Sequence, residues 1–194
     1  MSTGTMNVPL KCECGKVLGV ATGISPESGS RLVCYCDDCQ AFANHLACSK
    51  PILDEYGGTD IFQMPPAHLK ITRGKEFIRC LRLTPKGTYR WYTDCCKTPI
   101  GNTLSAGVPF VGLIHNFMND AGKRDDNLGP VRACVQTKFA RDTLPADRKQ
   151  GFPVWVILRG IGKLLVWKIR SLEQPSPFFY PDKTPVVEPI VLNE

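Results

Sequence analysis

The sequence shows no apolar run long enough to cross a bilayer and no dense block of Lys or Arg, and no secretory leader is expected. The start Met1-Ser2-Thr3-Gly4-Thr5-Met6 lacks the charged segment followed by an apolar one that marks export. A cytoplasmic location is therefore expected, or a nuclear one in a eukaryote, and disulfides are not. The most apolar stretch, Phe152 to Trp167, is broken by Arg159 and Lys163, so no membrane span is expected. A net charge of +6 favours anionic partners in general. Its cations are scattered and form no long basic tail, so nucleic acid is not an expected partner. Internal repeats and low-complexity tracts are also missing, which excludes solenoid and array architectures.

What the chain does have is cysteine: ten in 194 residues, with 43% hydrophobic residues, enough for a core that needs no covalent staples. Three of the ten fall in Cys34-Tyr35-Cys36-Asp37-Asp38-Cys39. Two residues between Cys36 and Cys39 let a tight turn aim both sulfurs at one point, and a strand end ahead of them brings in Cys34. Tetrahedral zinc takes thiolates at about 2.3 Å, and this spacing supplies three without long-range folding. Closed structural sites fill all four corners with protein, whereas catalytic ones keep a corner for water or substrate. No fourth ligand is evident nearby, which suggests an open site.

The remaining pattern is of short strands. Met1 to Leu10 reads as a disordered lead-in. Val17 to Thr22 and Arg31 to Cys34 flank the turn-rich Ser25-Pro26-Glu27-Ser28-Gly29-Ser30 and read as a hairpin. Cys39 to Cys48 is an Ala-rich short helix. Asp60 to Met64, His68 to Arg73, Phe77 to Leu83 and Thr88 to Thr93 read as strands, the last two joined by Pro85-Lys86-Gly87. Val108 to Phe117 is a strand or short helix, Asn119 to Gly129 a loop, and Val131 to Lys138 a strand. Pro145-Ala146-Asp147 marks a boundary. The expected division is a zinc-binding domain over 1–145 and a C-terminal extension over 146–194 packed on it. In the extension, Pro153 opens a helix running to about Leu172. Ile157, Ile161, Leu164, Leu165, Ile169 and Leu172 share the face expected to pack, and Arg159, Lys163 and Arg170 a solvated one. The Pro-rich tail from Gln174 is extended.

The order C-x-C-G (Cys12, Cys14), C-x-C-x-x-C (Cys34, Cys36, Cys39) and a late pair before Thr-Pro (Cys95, Cys96) resembles the family of glutathione-dependent formaldehyde-activating enzymes and centromere protein V. The likeness runs to about Lys138 and includes Leu69-Lys70-Ile71-Thr72-Arg73-Gly74. It implies a mainly β fold of small twisted antiparallel sheets, of the β-tent type, around two Zn2+ sites. Carried over, Cys12 and Cys14 would join the late pair in a structural site, and Cys34, Cys36 and Cys39 would hold a second, catalytic zinc. The family's late motif, C-x-x-C-G-T, aligns with Thr93-Asp94-Cys95-Cys96-Lys97-Thr98. Thr93 thus stands where the first cysteine belongs, and Lys97 replaces the glycine. The structural set is then Cys12, Cys14, Cys95 and Cys96, or three cysteines and something else.

A three-thiolate zinc is a poor generator of hydroxide and better suited to holding an incoming thiol as thiolate. The expected function is a carbon–sulfur lyase or synthase acting on a thiol–aldehyde adduct, with glutathione or a similar small-molecule thiol as substrate. The alternative is a non-catalytic zinc module that binds protein or nucleic acid. Arg73, Arg79, Arg82 and Arg90 are candidate partners for substrate carboxylates. His45 is a candidate fourth ligand or proton shuttle, though a lone histidine in such a segment is more often packed or solvated. His68 and His115 have no partner pattern. Asp37 and Asp38 read as helix caps or turn-bonding groups before acid–base groups. Cys48, Cys80 and Cys134 read as buried structural cysteines.

Overall fold

The structure, a computed structural model, describes residues 4–48, 50–119, 122–146, 148, 151 and 153–192. In chain order its strands are β1 (Met6–Lys11), β2 (Leu18–Ile24), β3 (Ser30–Cys34), β4 (Thr59–Met64), β5 (Leu69–Arg73) and β6 (Ile78–Arg82). There follow β7 (Tyr89–Thr93), β8 (Pro99–Thr103), β9 (Val111–Ile114), β10 (Ala133–Val135) and β11 (Ile190–Val191). The helices are α1 (Asp37–Leu46), α2 (Arg124–Leu128) and α3 (Val154–Ile169). The fold is mainly β, as expected. Strands β1, β2 and β5 form a small antiparallel sheet. The larger sheet has the order β10-β3-β4-β9-β8-β7-β6-β11, antiparallel through its middle with one parallel pairing at each edge.

Alternation along the strands of the large sheet decides what covers each face. Phe62 and Met64 of β4 and Trp91 of β7 point into the main core, which they share with Val8, Leu10, Ala21 and Ile71 of the small sheet. Their neighbours Ile61 and Tyr92 point the other way, onto Phe42 and Leu46 of α1. Tyr92 and Phe42 meet edge to face, their ring centres 6.5 Å apart.

Several expectations are corrected. Met1–Thr3 lie outside the described residues, but the rest of the supposed lead-in supplies strand β1. Val8 and Leu10, two apart, become almost fully buried once β2 lies alongside. Long-range pairing overrides the weak strand propensity of Asn7 and Pro9. Val17–Thr22 and Arg31–Cys34 are not hairpin partners. Ala21 and Ile24 need the small sheet's core while Leu32 needs α1, so the Ser25–Ser28 turn carries the chain from one sheet to the other. The Asn119–Gly129 loop contains α2, pinned by the buried Leu128; Asp120 and Ala121 lie outside the described residues.

The faces of α3 differ from those expected: of the face expected to pack only Leu164 and Leu172 are half-buried, and of the basic face only Arg170 is exposed. Val156 and Trp167 are its buried residues, whereas Ile157, Ile161, Leu165 and Ile169 are exposed. Arg159 and Lys163 turn toward the body because Glu27, in the turn between β2 and β3, offers them a carboxylate and a carbonyl oxygen. No helix among the described residues is long and apolar enough to cross a membrane.

Asp147 and Phe152 lie outside the described residues. The tail beyond α3 is knitted into the main core. Phe178 is fully buried and stacks on Trp91 with centroids 4.7 Å apart, and Phe179 meets the same ring edge-on at 5.5 Å. Beyond them, β11 adds to the edge of β6.

Candidate metal centres

Two cysteine groups come together, and both could hold a metal ion. The first is built from the chain just past β1 and from the turn between β7 and β8. The Cys12 N–H donates to Val17 O and the Gly15 N–H to Cys12 O, a tight loop that points Cys12 and Cys14 the same way. Their Sγ atoms are 3.6 Å apart. Cys95 Sγ lies 3.9 Å from Cys12, 3.3 Å from Cys14 and 3.8 Å from Cys96. A tetrahedron of thiolates at about 2.3 Å from a metal has edges of about 3.8 Å, so these four sulfurs fit such an ion.

This geometry bears on the question left open by the sequence, because Cys95 and Cys96 both reach the cluster. They sit in a turn instead of a strand, so they are free of the strand's opposed side chains. The turn closes with Lys97 at φ 56°, the left-handed conformation that the expected glycine adopts without strain. Thr93, standing where a cysteine was expected, is fully buried, and its Oγ1 lies 3.4 Å from Cys96 Sγ. Thr98 Oγ1 is 3.2 Å from the same sulfur. Burial pushes the Cys96 thiol up, but these hydroxyls with the Cys14 and Thr98 backbone outweigh it and hold it down at about 6. Burial and the neighbouring Cys14 and Cys96 thiols push Cys95 up to about 12. Without a metal the cluster thus keeps one favoured anion and resists the next. Sequence reasoning did not find the hydroxyl support, although Thr93 and Thr98 flank the pair.

The second group is Cys34, Cys36 and Cys39, at the end of β3 and the start of α1. Cys34 and Cys36 Sγ are 3.4 Å apart, and all three sulfurs lie within 4.8 Å of one another. Cys36 is the N-cap of α1, its sulfur accepting the Cys39 N–H at 3.3 Å. That corrects the capping alternative expected of Asp37 and Asp38, while the turn-bonding one holds for Asp37. Asp37 accepts the Asp38 N–H, and Asp38 accepts from Arg90 at 3.0 Å. Hydrogen bonds from the Cys34 and Cys39 thiols drive Cys36 far below the ordinary thiol range, and Cys34 is pushed far above it. The positive end of the α1 dipole favours that anion further.

Among the described residues no fourth His, Cys, Asp or Glu joins this trio. His45 is exposed in the last turn of α1 and is not brought to it. Of the four candidate arginines, Arg90 alone contacts the trio in a described bond. It is 3% exposed, lies over the Phe42 ring and places Nη1 3.9 Å from Cys39 Sγ. Arg79 pairs with Asp94 beside the late turn, Arg82 lies over Tyr89, and Arg73 is exposed.

Cys80 and Cys134 are buried as expected. Cys48 is only half-buried. It lines a cavity of ≈ 550 Å³ with Glu13, Cys14, Cys96 and Lys97, so α1 has one cysteine group at its start and the other beside its end. A cavity of ≈ 720 Å³ lies elsewhere. Its wall includes Val33 on the side of β3 opposite Cys34, and it is crossed by the Arg31–Asp60 and Arg148–Asp54 ion pairs.

Residues 4–189 match the sequence profile of DUF6151, a family of unknown function. The chain belongs to the DUF6151 family. The match covers both cysteine groups, α3 and nearly all of the tail, so family membership extends across the C-terminal segment as well. No curated protein matches the chain.

Proposed function

We propose that this DUF6151 member is a cytoplasmic, zinc-dependent carbon–sulfur lyase or synthase acting on the adduct of an aldehyde with glutathione or a similar thiol. The observation that carries this reading is the trio itself: three thiols converge at a helix N-terminus, with no fourth His, Cys, Asp or Glu among the described residues and a buried guanidinium beside them. The likeness to the formaldehyde-activating enzymes supports it. Cys12, Cys14, Cys95 and Cys96 would hold a structural zinc, and Cys34, Cys36 and Cys39 a catalytic one. All-thiolate donor sets at tetrahedral spacing suit zinc. Bound at the trio, zinc would supply a Lewis-acidic position that takes the substrate sulfur as thiolate.

The chain's own residues supply the rest. Joining a thiol to an aldehyde forms one C–S bond and moves the thiol proton to the carbonyl oxygen; cleavage is the reverse. Three thiolates around a divalent ion leave one negative charge, and a substrate thiolate would add a second. Arg90, fixed by Asp38, offsets that charge from inside the protein, where a cation acts most strongly.

A non-catalytic zinc module for protein or nucleic acid is the second reading. It is favoured by the ≈ 720 Å³ cavity, which lies across β3 from the trio. The two separate when the cobalt-substituted protein is titrated with glutathione and its visible ligand-field bands are followed. Changed bands at saturating thiol, with turnover of the hydroxymethyl adduct, support the enzyme. Unchanged bands reject the open site and leave the module.

A further inference from the structure

The outward half of α3 is almost entirely apolar. At 100° per residue, an arc of roughly 180° bounded by Ile157 and Val166 carries Val154, Trp155, Leu158, Ile161, Leu165 and Ile169, interrupted by a single charge, Lys168. Exposure along it is high: 72% at Val154, 63% at Leu158, 60% at Leu165 and 83% at Ile169. A contiguous apolar surface of this kind marks a docking face. Along one edge of the arc lies a groove of ≈ 550 Å³ with Arg159, Lys163, Arg170 and His68 in its wall and Glu27 as its one carboxylate. Arg132 and Arg159 both pair with that carboxylate, at 3.0 and 2.5 Å, and Lys163 Nζ bonds the Glu27 carbonyl. Cations outnumber anions there. Burial and the adjacent Arg159 hold the Lys163 amine down to about 8, so the groove carries positive charge that a nearby anion would relieve.

We propose that α3 seats the protein on an anionic lipid surface. The apolar arc enters the headgroup–acyl boundary, and the Arg159–Lys163–Arg170 edge meets lipid phosphates. Two features select this occupant. The helix is roughly 24 Å long against a hydrocarbon core of about 30 Å, so it lies in the interface plane and does not span. The arc is also wider than the roughly 100° stripe that one partner helix covers, whereas an interface wets half a cylinder. Flanking cations complete the pattern of interfacial helices on anionic membranes. This proposal stands on α3 alone and is independent of the chemistry at the cysteine trio.

The test uses the full-length protein, floated with vesicles of phosphatidylcholine alone or with about a third phosphatidylglycerol. Flotation is expected with the anionic vesicles, weakening at high salt. Bromine-labelled lipids should quench the tryptophan emission of the wild type and much less that of Trp155→Phe, since Trp91 and Trp167 are buried. Leu158→Glu with Leu165→Glu alters only exposed side chains and should weaken binding by at least about tenfold while metal content is unchanged. The proposal is overturned if the wild type does not float with anionic vesicles. It is also overturned if flotation survives the double substitution, or if that substitution instead splits a dimer that shows no lipid binding.

Discussion

Arg90 grips Asp38 with one guanidinium nitrogen at 3.0 Å and holds the other 3.9 Å from Cys39 Sγ. The side chain is almost fully buried, so its charge is little screened and acts on the thiolate trio directly. Arg90→Gln removes that charge and leaves Asp38, which is half exposed, to water. The trio should still load metal, but a thiol should bind it about tenfold more weakly. Arg90→Lys should recover most of the affinity. Cobalt ligand-field titration of the three proteins measures this, and equal thiol affinities would remove Arg90 from the site.

Cys36 does two jobs that substitution can separate. Its sulfur is both a candidate ligand and the N-cap of α1. Cys36→Ser keeps a good capping atom and should lose one metal and any activity while leaving the fold mostly intact. Cys36→Ala loses the cap as well and should be less stable than the serine variant by about 1 kcal/mol. Cys14→Ser should instead destabilise the whole domain, because a closed metal site contributes folding free energy directly. Metal content and urea unfolding of the three variants would check all three outcomes; equal folding and activity of the Cys14 and Cys36 variants would break the two-site assignment.

How far the chain could be read in advance follows from how local each signal is. The trio was legible because C-x-C-x-x-C needs only a strand end and one helical turn, and the β6–β7 hairpin because Pro85-Lys86-Gly87 announces it. Thr93 was harder. Its part depends on the turn that brings Thr93 and Thr98 to the same sulfur, which no spacing rule encodes. The faces of α3 were misread because a helical wheel assumes that apolar side chains face the body. Here Glu27, more than a hundred residues earlier, draws Arg159 and Lys163 to the edge of the body and leaves Arg170 exposed. Strand β1 was missed because the apolar alternation at Val8 and Leu10 gains meaning only beside β2.

The tail makes a stability prediction. Phe178 is buried without remainder between the sheets and stacks on Trp91, which is itself fully buried and donates its indole N–H to Thr103 at 2.9 Å. Phe178→Ala should therefore cost roughly 3–5 kcal/mol, the usual range for emptying a core aromatic site. Tyr180→Ala, two residues on and exposed, should change stability by less than about 0.5 kcal/mol. Equal denaturation midpoints for the two variants would mean that the tail lies on the core without being part of it.

Glu27 ties α3 to the turn between β2 and β3, and that tie is pH-dependent with a definite sign. The Arg159 hydrogen bond, against a small burial penalty, holds the carboxyl below its ordinary value of 4.5. A carboxylate with a depressed folded-state pKa contributes stability that is present above its unfolded value. That contribution is lost as pH falls through the folded value. Below about pH 4.5, then, α3 should loosen from the body, seen as faster amide exchange across Val154–Ile169. Because Glu27 is well exposed, the change should be no more than a few-fold. Glu27→Gln should show the loosened rate already at neutral pH and respond little to acid. A variant that still tightened and loosened with pH would move the control to other carboxylates, such as Glu173 against Lys168 at the far end of the helix.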